Sequence, residues 1–121
     1  MATILLLEDN HDMLYALSEV LQMHQYQVLM GYNGHDGLEL LERSSSLPDL
    51  IITDINMPDM NGLEFLGEVR RRADWAKIPV AIMSGLVTDQ QRALASGADA
   101  FVTKPFRFNE LERTLSQLTN R

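Results

Sequence analysis

The sequence predicts an α/β domain with a parallel sheet covered by helices on both faces. Two observations carry this. Short apolar runs alternate with longer amphipathic stretches from end to end, giving about five β–α repeats. The first run, Thr3–Leu7, is continuous and apolar, as a strand buried on both faces should be. Crossovers between such strands are expected to be right-handed.

Taken in order, Thr3 to Leu7 is a buried strand cut off by the acidic pair Glu8-Asp9. A helix from about Asp12 to His24 follows, with Leu14, Leu17 and Leu21 at helical spacing. Gln27 to Tyr32 is a weaker strand. Asn33-Gly34 is expected to break the chain before a helix around Gly37 to Arg43. Ser44-Ser45-Ser46 with Pro48 makes a loop. Leu50 to Thr53 is the most strand-like run in the middle, and 56–62 is a loop rich in turn residues. A helix then runs from about Leu63 to Arg72. Pro79 precedes the strand Val80 to Met83, at a position where a missing N–H is tolerated. Thr88 and Gln91 have capping-box spacing and predict a helix start, and Gly97 can close that helix. Ala100 to Thr103 is the last strand. Phe108, Leu111, Leu115 and Leu118 form the buried stripe of a closing helix.

At 121 residues the chain has room for one domain, expected to span 1–121 with no output domain. The absence of cysteine excludes disulfides, thiolate metal sites and a catalytic Cys, and suits a reducing cytoplasm. The first residues lack a basic n-region, and their apolar run stops at Glu8, too soon for a signal peptide. No stretch approaches the roughly 20 apolar residues of a membrane span. The net charge of -7 argues against direct nucleic-acid binding. The basic run Arg70-Arg71-Arg72 reads as the solvated end of a helix. His11, His24 and His35 lack ligand-like spacing and read as surface or helix residues. The methionines read as gap-filling or loop residues.

Ligands of open parallel sheets bind outside the carboxyl ends of the strands, where the strand order reverses. Those ends carry Glu8 and Asp9, then Asp54, then Ser84-Gly85, then Lys104-Pro105. Three carboxylates in one place repel unless a cation neutralises them. Mg²⁺ fits, because it takes a few carboxylates, keeps waters and accepts a phosphate. Lys104 adds a point charge, Ser84 a hydroxyl donor, and Gly85 a close approach to the backbone. Such a site suits a phosphoryl group, whose transfer needs positioning and charge neutralisation. Asp54 would be the nucleophile, giving an aspartyl phosphate. Met57-Pro58 fixes the loop behind it, and Asn61-Gly62 turns the chain into the next helix.

The sequence resembles the receiver domains of bacterial two-component response regulators along essentially its whole length. The resemblance rests on Leu7-Glu8-Asp9-Asn10, on the stretch from Asp49 through Asp54 and Met57-Pro58 to Gly62, on Ser84-Gly85, and on Gly97 through Phe101 to Lys104-Pro105-Phe106. It implies a flavodoxin-like (βα)5 doubly wound sheet of order 2-1-3-4-5. It implies Asp54 as phosphoacceptor, Glu8 and Asp9 as the metal acid pair, and the carbonyl of Asn56 as a further Mg²⁺ ligand. Lys104 would be the family's lysine, with a cis bond to Pro105, and Ser84 with Phe101 the switch pair. The implied partners are a sensor histidine kinase or phosphotransfer protein and an unknown downstream protein, met through the face of the fourth helix, last strand and last helix. The implied activity is self-phosphorylation and slow self-dephosphorylation rather than turnover of an external substrate, in the cytoplasm and without a membrane partner.

Departures from the family pattern are mild. Glu8 stands where many members have Asp, Ser84 replaces the commoner Thr, and Phe101 the commoner Tyr. Phe101 has no hydroxyl, so its switching would rest on packing. An apolar Leu86 is expected to hinder attacking water. Two other classes compete with this reading. A haloacid-dehalogenase-type phosphatase wants an acid where this chain has Asn56. A scaffold that no longer accepts phosphate would not need Asp9, Asp54, Ser84 and Lys104 together. No G-x-G-x-x-G or P-loop follows the first strand, so a nucleotide site lacks support.

Overall fold

The computed structural model describes residues 1–119. Five strands, β1 (Thr3–Leu7), β2 (Gln27–Gly31), β3 (Leu50–Asp54), β4 (Val80–Ser84) and β5 (Ala100–Thr103), form one parallel sheet in the order 2-1-3-4-5. Between and after them run α1 (His11–Met23), α2 (Gly34–Arg43), α3 (Gly62–Arg71), α4 (Gln90–Ala95) and α5 (Phe108–Thr119). The expected fold class and strand order are both observed.

Side chains alternate across the central strands, and each face meets a different set of helices. Leu5, Leu7, Ile51, Val80 and Ile82 pack with Leu41 of α2, Phe65, Leu66 and Val69 of α3, and Ala93 of α4. Ile4, Leu6, Leu50, Ile52, Ala81 and Met83 pack with Leu14 and Leu21 of α1 and Leu111, Leu115 and Leu118 of α5. Both faces are covered, so β1, β3 and β4 read as unbroken apolar runs. The edge strands β2 and β5 are only partly buried.

Three helices start on asparagine. Asn10 Oδ1 accepts from Met13 N, Asn33 Oδ1 from Asp36 N, and Asn61 Oδ1 from Glu64 N, each satisfying a free helix donor. Glu64 Oε1 accepts in return from Asn61 N, which completes a capping box. Asn33-Gly34 therefore opens α2 instead of delaying it to Gly37. A second expectation also fails. Thr88 and Gln91 do not cap a helix; Val87–Asp89 forms a 3-10 turn, and α4 begins at Gln90 with only six residues. The acid at the turn's end, Asp89, turns one carboxylate oxygen inward to Ser84 and caps no backbone N–H of the helix.

Arg70 corrects a third reading. Successive helical residues point about 100° apart and Arg72 lies past the end of α3 in extended backbone, so the basic run cannot share one environment. Arg71 and Arg72 are exposed, but Arg70 is half-buried. Its guanidinium donates to Gly97 O, Ala76 O, Ile78 O and Asp99 Oδ2 at 2.8–3.0 Å. This ties α3 to the segment ahead of β4 and to the turn ahead of β5. Gly97 closes α4 at φ +107°, a conformation that favours glycine.

Candidate functional site at the carboxyl edge of the sheet

Strand register brings the expected residues to one level. Leu7 pairs with Thr53, so Glu8 and Asp54, the next residue of each strand path, lie side by side. Asp54 pairs with Met83, and Ser84 pairs with Thr103, which places Lys104 one step beyond. Lys104 N donates to Ser84 O at 2.7 Å and continues the ladder past the end of β5. The reversal of strand order falls between β1 and β3, where a doubly wound sheet opens its crevice.

Carboxylate atoms of Glu8, Asp9 and Asp54 lie within 4.8 Å of one another. Glu8 and Asp54 are buried, whereas Asp9 is exposed. Lys104 Nζ bridges the two buried acids, donating to Glu8 Oε1 at 2.7 Å and to Asp54 Oδ2 at 2.8 Å. The Lys104–Pro105 bond is cis, as expected. Burial pushes the Glu8 carboxyl above the usual carboxylate range, against the opposing pull of the Lys104 hydrogen bond. Burial also works against the Lys104 charge, but its bonds to Asp54 and Glu8 together outweigh this and raise its pKa. Three acids against one ammonium leave an excess of negative charge and free carboxylate oxygens, a donor set that suits a hard divalent cation.

The remaining expected residues divide. Ser84 is fully buried at the end of β4. Asn56 is exposed in the loop after β3, and Met57 is buried behind it. Phe101 is half-buried on β5 and packs against the core on the α3–α4 face. Leu86 is exposed. A Cβ on Gly85 would meet nothing within 4 Å, so the backbone there stands open. Gly62 is the reverse. Its N–H bonds to Ile55 O, and its Cα lies so close to the end of β3 that only a hydrogen fits.

One participant was not singled out from the sequence. Asp89, nearly buried, accepts the Ser84 hydroxyl at 2.7 Å and is held in turn by Arg92. The available signal was an acid five residues after the hydroxyl, with a basic residue three further on.

The comparisons agree with this architecture. A family model described as the response regulator receiver domain matches residues 4–116. Protein PilH of Pseudomonas aeruginosa is 33% identical over 96% of each chain. Two further curated relatives, KdpE of Mycobacterium tuberculosis and NarL of Escherichia coli, are longer, and the chain spans 47% and 54% of their length. The signal receiver domain of a histidine kinase from Syntrophus aciditrophicus superposes with a TM-score of 0.91 at 31% identity, covering 99% of this chain and 91% of that one. Response regulator protein TrrA from Thermotoga maritima, solved in complex with Mg²⁺-BeF, superposes at 0.86 with 29% identity, covering 98% and 99%. Fold, strand-end acids and family match converge, and the chain belongs to the response regulator receiver domain family of two-component systems.

Proposed function

We propose that the domain is a phosphorylation-activated switch that takes a phosphoryl group onto Asp54 from a phosphohistidine of a sensor kinase or phosphotransfer protein. A carboxylate oxygen of Asp54 attacks phosphorus, the P–N bond breaks, and the imidazole leaves with the electron pair and gains a proton. The observation that carries this reading is the Lys104 ammonium bonded to both Asp54 and Glu8 beside a third acid, Asp9. Glu8, Asp9 and Asp54, with the carbonyl of Asn56, would hold Mg²⁺, whose charge offsets that of the phosphoryl oxygens. The Mg²⁺-BeF complex of TrrA supports the same use of the site.

Lys104 orients the acceptor and balances its charge. Ser84 supplies a neutral donor to the phosphorylated state, and Phe101 repacks behind it. The face built from α4, β5 and α5 then changes its affinity for a downstream protein. The domain acts only on its own phosphoryl group and turns over no external substrate. Among the described residues no helix is long and apolar enough to cross a membrane; the proposed donor places the reaction in the cytoplasm.

Intact-mass measurement after incubation with acetyl phosphate tests the chemistry, with and without Mg²⁺ and beside Asp54→Asn. One labile phosphoryl adduct that requires both Mg²⁺ and Asp54 is expected. A folded protein that gains no adduct from acetyl phosphate or from a phosphohistidine donor would leave a receiver-shaped scaffold and end the proposal.

A further inference from the structure

The connection from β4 to α4 holds a polar relay for which the acceptor chemistry has no evident need. Ser84 Oγ donates its hydrogen to Asp89 Oδ2 at 2.7 Å and accepts from Leu86 N at 3.1 Å. Asp89 is 9% exposed, and its other oxygen, Oδ1, accepts from Arg92 Nη2 at 3.0 Å. A serine hydroxyl has one hydrogen to give. While Asp89 holds it, none remains for an oxygen on the far side of the strand end.

We propose that Asp89 is a positioning residue that sets the threshold of the switch by holding the Ser84 hydroxyl in the unphosphorylated arrangement. This rests on Asp54 being the acceptor. Phosphorylation then becomes a competition between two anions for one donor. The phosphoryl group must draw the Ser84 hydroxyl away from Asp89, and that exchange frees the 3-10 turn Val87–Asp89.

The surroundings of the relay suit that role. The turn closes through two backbone bonds, Asp89 N to Leu86 O at 3.0 Å and Gln90 N to Val87 O. α4 has only six residues, and among the described residues no side chain caps its start, because the adjacent carboxylate is committed to Ser84. Leu86, Val87 and Leu94 are exposed around it. A short, uncapped helix with apolar residues facing water is lightly anchored and opens at small cost. Arg92 acts on the same balance from outside: it shares the Asp89 carboxylate and so weakens its hold on Ser84.

Beryllofluoride with Mg²⁺ stands in for the phosphoryl group, and its affinity for the full chain reads the competition. Asp89→Asn keeps the shape but replaces a charged acceptor with a neutral one, so the dissociation constant should fall by about three- to tenfold. In a Ser84→Ala background the same substitution should change nothing, because no hydroxyl is left to release. Arg92→Gln, on an exposed side chain, should weaken binding about twofold by leaving Asp89 undivided. Asp89→Asn binding no tighter than wild type would overturn the proposal. So would an equal gain in the Ser84→Ala background, which would show only the removal of a negative charge near an anion. Tighter binding by Arg92→Gln would overturn it independently of how the Asp89 variant folds. Failure of the wild-type protein to bind beryllofluoride at all would instead strike the acceptor reading, and this inference with it.

Discussion

Gly62 offers the sharpest test of how the site is built. A Cβ placed there would lie 2.1 Å from Asp54 O, 2.9 Å from Asp54 C and 3.1 Å from Ile55 Cα. All three are backbone atoms of the strand end that carries Asp54, so no rotamer change relieves the contact. Real Cβ contacts essentially never fall below 3.0 Å, so α3 and the end of β3 must part by roughly 1 Å, and overpacking of this kind costs about 2–3 kcal/mol. With a urea slope of roughly 2 kcal/mol per M, Gly62→Ala should lower the unfolding midpoint by about 1–1.5 M. The melting temperature should drop by about 10 °C. A shift of that size at the peptide of Asp54, the proposed nucleophile, should also slow phosphorylation from acetyl phosphate by about 100-fold.

Two other glycines serve as controls in the same urea series. Gly85→Ala meets no atom within 4 Å and should leave the midpoint nearly unchanged. Gly67→Ala, inside α3, meets only the end of the flexible Arg71 side chain at 3.7 Å and should stabilise by about 0.5–1 kcal/mol. Gly62→Ala unfolding at the wild-type midpoint, or Gly85→Ala proving the more damaging of the two, would refute the reasoning.

Further predictions follow from the charges and clamps. Lys104→Met removes the cation shared by Glu8 and Asp54, so acetyl phosphate labelling should fall at least about tenfold. Its Mg²⁺ affinity, followed by calorimetry, should hold or rise, because the metal no longer competes with an ammonium. Glu8 keeps its proton at a pH where an exposed glutamate, near 4.5, has lost it. Metal binding needs the carboxylate, so Mg²⁺ affinity should decline as pH falls through this raised value, and its fall with pH should be steeper in wild type than in Glu8→Gln. The same raised value makes the protonated group favour folding at low pH, a contribution lost as pH rises past it. Arg70→Ala strips donors from three carbonyls and Asp99 and should cost about 2–3 kcal/mol in urea unfolding, with little change in labelling. Leu86→Asn should shorten the phosphoryl lifetime in a mass-spectrometric decay series, and an unchanged lifetime would remove any role for Leu86 in excluding water.

The parts legible in the sequence are those where local pattern and tertiary demand coincide. β1, β3 and β4 are covered on both faces, so their composition alone marks them, and the residue after each one is a candidate ligand by position. That is why Glu8, Asp9, Asp54 and Ser84 could be named together, while Lys104, after the partly buried edge strand β5, was marked by its place at the end of the last short apolar run. The misses lie where tertiary contacts redirect a local signal. Asn33 looked like a breaker and is a cap, because Asp36 N lies within reach of its side chain. Thr88 and Gln91 looked like a capping box, but the acid beside them is drawn inward to a buried hydroxyl. Arg70 looked solvated as part of a basic run, yet it faces carbonyls contributed by two distant turns. No one-dimensional pattern records which loop a guanidinium will meet.

If Asp54 takes the phosphoryl group as proposed, donor supply at this edge of the sheet decides where the signal leaves the site. Three carboxylates facing one ammonium carry two uncompensated negative charges when ionised, which one divalent cation cancels. Phosphorylation of Asp54 then adds acceptor oxygens and charge of about -1.5 to -2, and each new oxygen needs a donor. An ammonium has three N–H groups, and Lys104 already commits two of them to Glu8 and Asp54. Its third N–H remains for the new group. The other donor, the Ser84 hydroxyl, can serve it only by breaking its bond to Asp89. The lysine side of the site therefore absorbs the modification, and the serine side transmits it. On the proposed mechanism the structural change begins at the turn Val87–Asp89, beside α4.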